Sequence, residues 1–264
     1  MVGSVGRHDG RIVWITGAGS GIGLATACRL LDQGASVVAT DVNTDALAWT
    51  DDHSRAVAVP GDVTDEVVNR TAVGTAGERF GGLDAAVLNA GVSQRGDLVT
   101  LPMEEFDRTF DVNVRAVVLG IRACIAPMRE RGGGAIAVTS STSGLGGDPG
   151  RWAYNTAKAA VLNLVRAAAL DLGPLGIRVN AVCPGPTETG MTERTLEDPE
   201  VYESLRRRSA LQRWAQPEEV AAVFDFLVSP DASIVTGAVV AADGGISANT
   251  GQFLPNPTSS EGRT

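Results

Sequence analysis

Hydrophobic and polar positions along the chain form two alternating kinds of segment. Short runs such as "RIVWIT" and "DAAVLNA" are apolar at most positions and show no strict alternation. Runs of this kind are typical of strands whose two faces are both covered by other elements. The predicted strands are 11–16, 36–41, 55–60, 84–90, 134–140, 177–183 and 237–243.

Segments of helical length separate these strands, at roughly 21–33, 64–80, 103–130, 152–172 and 217–228. The segment 64–80 begins with aspartate and threonine residues that can cap a helix, and its first turn is acidic. Such alternation, without a low-complexity linker, predicts one α/β domain over 1–264. We expect a doubly wound, Rossmann-type fold with a seven-stranded parallel sheet and helices on both faces.

Composition and charge exclude several functions. The 264 residues are 44% hydrophobic and carry a net charge of −9, and a protein this acidic lacks the basic surface that nucleic acids require. The longest apolar runs, such as 117–128, are interrupted by charge, so we expect no membrane span. The N-terminal segment has no hydrophobic signal, which favours a cytoplasmic location.

Cysteines and histidines form no cluster in the sequence. We expect Cys28, Cys124 and Cys183 to be reduced, buried thiols. The two histidines, His8 and His53, lie in no motif and are predicted to be solvated loop residues. No metal site is predicted.

A glycine-rich stretch, "TGAGSGIG" (16–23), follows the first predicted strand and leads into the first helix. Gly17 permits a tight turn, Gly21 lets the backbone approach a pyrophosphate, and Gly23 lets the helix pack on the strand. The amides at the start of that helix would then face the phosphates. The position between strand and helix is what makes this pattern indicate a dinucleotide site.

Asp41, at the end of the second strand, indicates which dinucleotide binds. A carboxylate there can accept both hydroxyls of the adenosine ribose and repels the 2′-phosphate of NADP, so NAD is predicted. The alternative is that Asp41 caps the turn that begins at Val42. Asp62, placed at the end of the third strand, either contacts the adenine amino group or caps the helix 64–80.

The chain contains a single lysine, Lys158, four residues after Tyr154, which is one of only two tyrosines. At this spacing both side chains lie on one face of a helix. A nearby ammonium group stabilises phenolate, so Lys158 is predicted to lower the pKa of Tyr154 towards neutral pH. Tyr154 would then serve as a general acid and base for an alcohol and its ketone.

Seven motifs in this order and spacing resemble the short-chain dehydrogenase/reductase family over nearly all of residues 10–246. They are "TGAGSGIG" (16–23), "NAG" (89–91), "DVNV" (111–114), "SSTSG" (140–144), "YNTAK" (154–158), "CPGPTET" (183–189) and "DGG" (243–245).

The resemblance implies four catalytic residues: Asn113, Ser141, Tyr154 and Lys158. Ser141 would hold the substrate oxygen beside the tyrosine, and Asn113 would fix a water that touches Lys158. Ser140 is the alternative serine, although its side chain should point to the other face of the strand end.

The resemblance also implies contacts to cofactor and substrate. The expected cofactor contacts are Gly17, Ser20, Gly21, Ile22, Gly23, Asp41, Asp62, Val63, Asn89, Ala90, Gly91, Tyr154, Lys158, Pro184, Gly185, Thr187 and Thr189. Loops near 92–99, 142–152 and 186–214 should form a mixed pocket for a secondary alcohol or ketone. The expected substrate contacts are Ser93, Arg95, Leu145, Arg151, Trp152, Met191 and Trp214.

Two further expectations concern larger parts of the chain. The charged stretch 192–210 is predicted to be a mobile helical lid over the pocket, within the substrate loop 186–214. The polar tail 247–264 is expected to be a disordered end or an arm on a neighbour. By resemblance we also expect a homotetramer, with 103–130 and 152–172 forming one interface.

Three functions are compared. The first is an NAD-dependent oxidoreductase that interconverts a secondary alcohol and a ketone by hydride transfer. The second is a 3-oxoacyl-carrier-protein or -CoA reductase, which shares every motif but more often carries basic residues for NADP. The third is a non-catalytic NAD-binding scaffold, which would require a damaged site.

Overall fold

A seven-stranded sheet, parallel throughout, forms the centre of the computed structural model, which describes residues 6–255. Its spatial order is β3-β2-β1-β4-β5-β6-β7. The sequence prediction of a doubly wound parallel sheet is therefore confirmed. The strands are β1 (Ile12–Thr16), β2 (Ser36–Thr40), β3 (Ala56–Ala58), β4 (Ala85–Leu88), β5 (Gly134–Thr139), β6 (Ile177–Pro184) and β7 (Val239–Ala242).

Helices cover both faces of this sheet. The α-helices of the described chain are α1 (Gly21–Asp32), α2 (Glu66–Phe80), α3 (Met103–Phe110), α4 (Ala116–Glu130), α5 (Trp152–Leu172), α6 (Glu193–Leu196), α7 (Pro199–Arg208) and α8 (Pro217–Val228). Apolar residues of α1 and α8 pack in one core, and those of α2, α4 and α5 pack in the other.

Strand β1 shows why its run is apolar throughout. Ile12 and Trp14 belong to the core under α2, α4 and α5, whereas Val13 and Ile15 belong to the core under α1 and α8. Successive side chains of a strand point to opposite faces, so a strand between two helical layers needs apolar residues at every position.

The predicted helix 103–130 is divided by one π-helical turn, Asp111–Arg115, between α3 and α4. The hydrogen-bond pattern shifts there by one residue, as in the π-bulges found at functional sites. Asn113 lies in this turn. Hydrophobic periodicity predicts a helix over the whole segment because one wide turn leaves the apolar face nearly unchanged.

His8 is buried, so its prediction as a solvated residue is wrong. Its Nε2 lies 2.6 Å from Oδ1 of Asp225 on α8, and the same carboxylate contacts Arg29 of α1 at 2.9 Å. Burial lowers the pKa of His8, although the aspartate opposes this. A buried carboxylate requires such partners, and one from a distant helix is invisible in the sequence around His8.

The thiols also differ from expectation in one case. Cys124 and Cys183 are buried, as predicted, but Cys28 is exposed on α1.

In the described part of the chain, no helix is long and apolar enough to span a bilayer. Over the same residues, no group of His, Cys, Asp and Glu side chains is arranged to hold a metal. Residues 256–264 of the predicted tail lie outside the described range.

Candidate active site

A cavity of about 1310 Å³ opens over the carboxyl ends of the strands. Its wall is formed by the loops that follow β1 to β6, together with residues of α3, α6 and α7. In doubly wound sheets the ligand binds in this crevice, near the position where the strand order reverses. Here the reversal lies between β1 and β4.

The glycine loop is shaped so that a ligand can approach its backbone closely. Gly17 has φ of +65°, which favours glycine, and a Cβ on Gly23 would lie 1.9 Å from the Gly17 carbonyl oxygen. Gly17, Ser20, Gly21 and Ile22 line the cavity, whereas Gly23 lies behind it and permits the turn. The N-terminus of α1 therefore faces the cavity, and the loop fits a pyrophosphate.

Asp41 follows β2 and combines both roles considered from the sequence. Its Oδ1 accepts a hydrogen bond from Asn43 N at 2.9 Å, which closes the turn. Its Oδ2 accepts one from Gly19 N, also at 2.9 Å, which fixes the carboxylate beside the glycine loop. The same side chain lines the cavity, so a turn cap and a ribose acceptor are compatible.

Asp62 does not cap α2. It lies beyond the end of β3 and accepts from Thr64 N at 2.9 Å, while Asp65 is the N-cap and accepts from Val67 N. Asp62 and the adjacent Val63 line the cavity. Of the two roles considered from the sequence, contact with the cofactor is the one still open to Asp62.

A chain of hydrogen bonds links the glycine loop to the single lysine. The Asn89 amide group donates to the carbonyls of Thr16 and Gly17, both at 3.3 Å. The Thr139 hydroxyl donates to Asn89 Oδ1 at 3.0 Å, and Lys158 Nζ donates to Thr139 O at 2.9 Å. The glycine loop and Lys158 thus belong to one network of hydrogen bonds.

Lys158 and Tyr154 are both nearly excluded from solvent, at 3% and 9% exposure. Burial lowers the pKa of Lys158 to about 8. Burial also raises the pKa of Tyr154, and the Ser141 hydroxyl and the Arg151 charge offset only part of this rise. The predicted shift of this pKa towards neutral pH is therefore wrong, because burial outweighs the groups that lower it and Lys158 is not one of them. Lys158 Nζ lies 5.7 Å from the ring centroid and donates to Thr139 O.

The two adjacent serines have different surroundings. Ser140 Oγ is buried and donates to the carbonyl of Lys158 at 2.8 Å, which ties β5 to α5. Ser141 Oγ accepts from Ser143 N at 3.1 Å, and the Ser141 hydroxyl lowers the pKa of Tyr154, with which it lines the cavity. The alternation at the strand end thus directs the second serine towards the tyrosine.

Replacement of each serine by alanine should separate these roles. Ser141→Ala should lower kcat/KM by about a hundred- to a thousandfold, because it removes a polarising hydroxyl. Ser140→Ala should instead lower the free energy of unfolding by about 0.5–1.5 kcal/mol, because it removes the hydrogen bond that ties β5 to α5. Steady-state kinetics and urea unfolding measure the two effects. A larger kinetic loss in Ser140→Ala at unchanged stability would reverse the assignment.

Asn113 is fully buried and bonds the loop that follows β4. Its Nδ2 donates to the carbonyls of Val92 and Thr109 at 2.9 and 3.0 Å, and its Oδ1 accepts from Val92 N at 3.2 Å. A Cβ on Gly91 would lie 2.8 Å from that oxygen and 3.4 Å from Lys158 Nζ. The glycine thus leaves room for Asn113 and Lys158 to approach each other, and a water fixed there remains a prediction.

Most residues predicted to bind ligands line this one cavity. Besides the residues already placed in the cavity wall, they are Asn89, Ala90, Gly91, Arg95, Arg151, Pro184, Gly185, Thr187, Thr189, Met191 and Trp214.

Three expected substrate contacts do not line the cavity. Trp152 stacks on Phe106 with ring centroids 5.2 Å apart, and Ser93 accepts a hydrogen bond from Arg151. Leu145 is 44% exposed on the surface. Loop position alone could not reveal these orientations.

The predicted lid folds as two short helices, α6 and α7, that contribute residues the sequence analysis did not single out. Val201 and Leu205 line the cavity, and Tyr202 stacks on Trp214 with centroids 5.2 Å apart. The spacing of Val201 and Leu205, four residues apart in a charged helix, is the signal that could have identified them. Mobility of this segment remains a prediction.

The fold and the glycine loop place the protein among the doubly wound, nucleotide-binding α/β proteins. Residues 17–247 match a family described as enoyl-(acyl carrier protein) reductase, and the chain belongs to the short-chain dehydrogenase/reductase family. This family uses a nicotinamide cofactor.

Three relatives illustrate the similarity. The chain is 39% identical to 2-(R)-hydroxypropyl-CoM dehydrogenase of Xanthobacter autotrophicus, covering 90% of this chain and 99% of that one. It is 41% identical to meso-2,3-butanediol dehydrogenase of Serratia marcescens, covering 93% and 98%. The crystal structure of levodione reductase superposes with a TM-score of 0.85 at 35% identity, covering 91% of this chain and 98% of that one.

Proposed function

We propose that this protein is an NAD-dependent oxidoreductase that interconverts a secondary alcohol and a ketone. The observation that carries this proposal is the buried Tyr154 phenol beside Lys158, which lines the same cavity as Ser141 and the glycine loop. The names of the two dehydrogenase relatives describe substrates with secondary hydroxyl groups, which supports the same reaction.

Each catalytic side chain has a separate role in the proposed reaction. Ser141 donates a hydrogen bond to the substrate oxygen and holds it beside Tyr154. Tyr154 protonates that oxygen during reduction and removes its proton during oxidation. Lys158, held by Thr139 O, supplies positive charge near the phenol while it is protonated. The nicotinamide cofactor, when bound, supplies or accepts the hydride.

A preference for NAD over NADP is part of this proposal and depends on Asp41. The carboxylate is fixed at the edge of the cavity by two backbone amides, so it cannot easily turn away from a 2′-phosphate. Like charges brought together in this way cost several kcal/mol.

Asp41→Asn should shift the ratio of kcat/KM for NAD to that for NADP by at least about tenfold towards NADP, since it removes the repulsion but keeps one carbonyl acceptor. Initial rates with both cofactors measure the shift. Asp45→Asn, on the exposed turn after β2, is the matched control and should leave the ratio unchanged. A wild-type preference for NADP would contradict the assignment.

A 3-oxoacyl-carrier-protein or -CoA reductase is the second candidate, because it would use the same catalytic residues and the matching family description names an acyl-carrier-protein substrate. Asp41 argues against it. A non-catalytic scaffold is less compatible still, since all four predicted catalytic positions hold the expected residue and line one cavity. A panel of secondary alcohols, ketones and 3-oxoacyl thioesters, assayed with both cofactors, distinguishes the three.

The proposal includes a homotetramer, as the resemblance implies, and a cytoplasmic location, which the N-terminal sequence favours. Analytical ultracentrifugation of the full chain, with and without NADH, measures the assembly.

A further inference from the structure

Two arginines lie side by side on the wall of the cavity. Arg95 is in the loop after β4, and Arg151 is the residue that immediately precedes α5. A parallel backbone bridge joins Gly96 to Arg151, and Gly96 N donates to Gly150 O at 3.0 Å. The two loops are therefore held together, and the charge of Arg95 helps to lower the pKa of Arg151, after the effect of burial.

Neither guanidinium is paired with an acid in the part of the chain described. Arg151 Nη1 donates to Ser93 Oγ at 2.7 Å, and Arg95 Nη2 donates to Thr195 Oγ1 at 2.6 Å, so both identified partners are neutral hydroxyls. The partly buried guanidinium of Arg151 is costly without an anionic partner, whereas Arg95 is exposed. A fork of N–H groups on each arginine remains available to a ligand in the cavity.

Two carboxylates on the same wall form no ion pair with these arginines, although the charge of Asp148 opposes part of the lowering of the Arg151 pKa. Asp97 Oδ1 accepts hydrogen bonds from Val99 N, Thr100 N and Thr100 Oγ1, all within its own turn. Asp148 Oδ2 accepts from the Ser143 hydroxyl. Neither forms an ion pair with Arg95 or Arg151, among the salt bridges of residues 6–255.

The position of the pair relative to Tyr154 limits what it can bind. Arg151 precedes Tyr154 by three residues at the start of α5, both side chains line the same cavity, and the Arg151 charge lowers the pKa of Tyr154. The first turn of α5 carries no acidic residue, so its dipole also favours an anion there. A group bound by the guanidinium would lie a few bonds from a carbinol oxygen at Tyr154.

We propose that Arg95 and Arg151 form a carboxylate subsite, so that the substrate is a hydroxy acid or the corresponding keto acid with a short spacer. This inference rests on the proposed function, whose site it extends. The planar fork of arginine matches a carboxylate with two parallel hydrogen bonds. Met191, Val201 and Leu205 on the lid side of the cavity would cover the apolar spacer. The local positive pair also offsets the net charge of −9, which otherwise repels an anion.

The test compares 3- and 4-hydroxy acids with the amides of the same acids. Wild-type kcat/KM should be about ten- to a hundredfold higher for the acids, as expected for charge-assisted hydrogen bonds. Arg151→Leu and Arg95→Leu should each remove most of this preference. Arg207→Leu, an exposed arginine of α7 outside the cavity, is the matched control and should preserve it.

Two outcomes would overturn the subsite. One is a wild-type enzyme that oxidises acids and amides equally, which leaves the proposed function standing. The other is an equal loss of preference in Arg208→Leu, a cavity-lining arginine of α7, which would mean that general charge and no specific pair attracts the anion.

A binding measurement separates failure of this inference from failure of the proposed function. Butanoate and butanamide are titrated calorimetrically into the full chain with NADH present. Butanoate should bind at least about tenfold more tightly, and Arg151→Leu should abolish the difference. If this holds while no alcohol or ketone is turned over, the subsite stands and the proposed reaction fails. Equal binding of the two ligands overturns the subsite.

Discussion

Replacing Tyr154 by phenylalanine is expected to lower kcat by about a hundred- to ten-thousandfold while NADH still binds. The phenol is the group that gives and takes the proton in the proposed reaction, and loss of such a group has an effect of this size. Phenylalanine fills the same buried volume, with 9% exposure at this position, so the cavity should keep its shape. Turnover of a secondary alcohol and NADH fluorescence on titration measure the two properties.

The second tyrosine provides a matched control. Tyr202 stacks on Trp214 beside the cavity, and the loss of its hydroxyl leaves that stacking in place. Tyr202→Phe should therefore keep turnover within about threefold of wild type, as is usual for a change that removes no essential contact. Full activity in Tyr154→Phe would falsify the assignment of the proton donor.

Lys158→Met is expected to abolish turnover and, at pH 7, to make the protein more stable. The pKa of Lys158 is lowered from 10.5 to about 8 by burial, which corresponds to a cost of about 3 kcal/mol for holding the charge in the folded state. An uncharged side chain of similar length avoids this cost. The lost hydrogen bond to Thr139 O reduces the gain, so about 1–3 kcal/mol is expected.

The pH dependence gives this prediction its sign. Below pH 8 the lysine is protonated in both folded and unfolded states, and the folded protein carries the full cost. Between pH 8 and 10.5 the folded state loses its proton first, so wild-type stability rises relative to the variant. The stability gap should therefore be largest near pH 7 and close as the pH approaches 10.5.

Urea unfolding at pH 7 and pH 9.5 measures this gap. Arg166→Met, an exposed position on the same helix, is the control and should change stability by less than about 0.5 kcal/mol at either pH. A Lys158→Met variant that is less stable than wild type at both pH 7 and pH 9.5 would show that the hydrogen bond to Thr139 O outweighs the cost of the buried charge.

The fold was largely predictable because the sheet imposes its needs on every strand residue. β1 is apolar at Ile12, Val13, Trp14 and Ile15, and each of them is almost fully buried. The glycine loop was recognisable for the same local reason, since the turn between β1 and α1 requires specific backbone freedom at Gly17. Ends of strands were less predictable: β3 stops at Ala58, two residues before the predicted end, because no side-chain pattern marks that end.

The sequence by itself determined the parallel sheet, the glycine loop, the family and the spacing of Tyr154 and Lys158, because short-range periodicity and motif order encode all four. Only the tertiary structure decided the electrostatics. Burial reverses the expected shift in the pKa of Tyr154. Folding also places His8 against Asp225, and a backbone bridge from Gly96 to Arg151 joins the loops that carry Arg95 and Arg151. These effects depend on desolvation and on contacts between residues far apart in the chain, neither of which is encoded in local spacing.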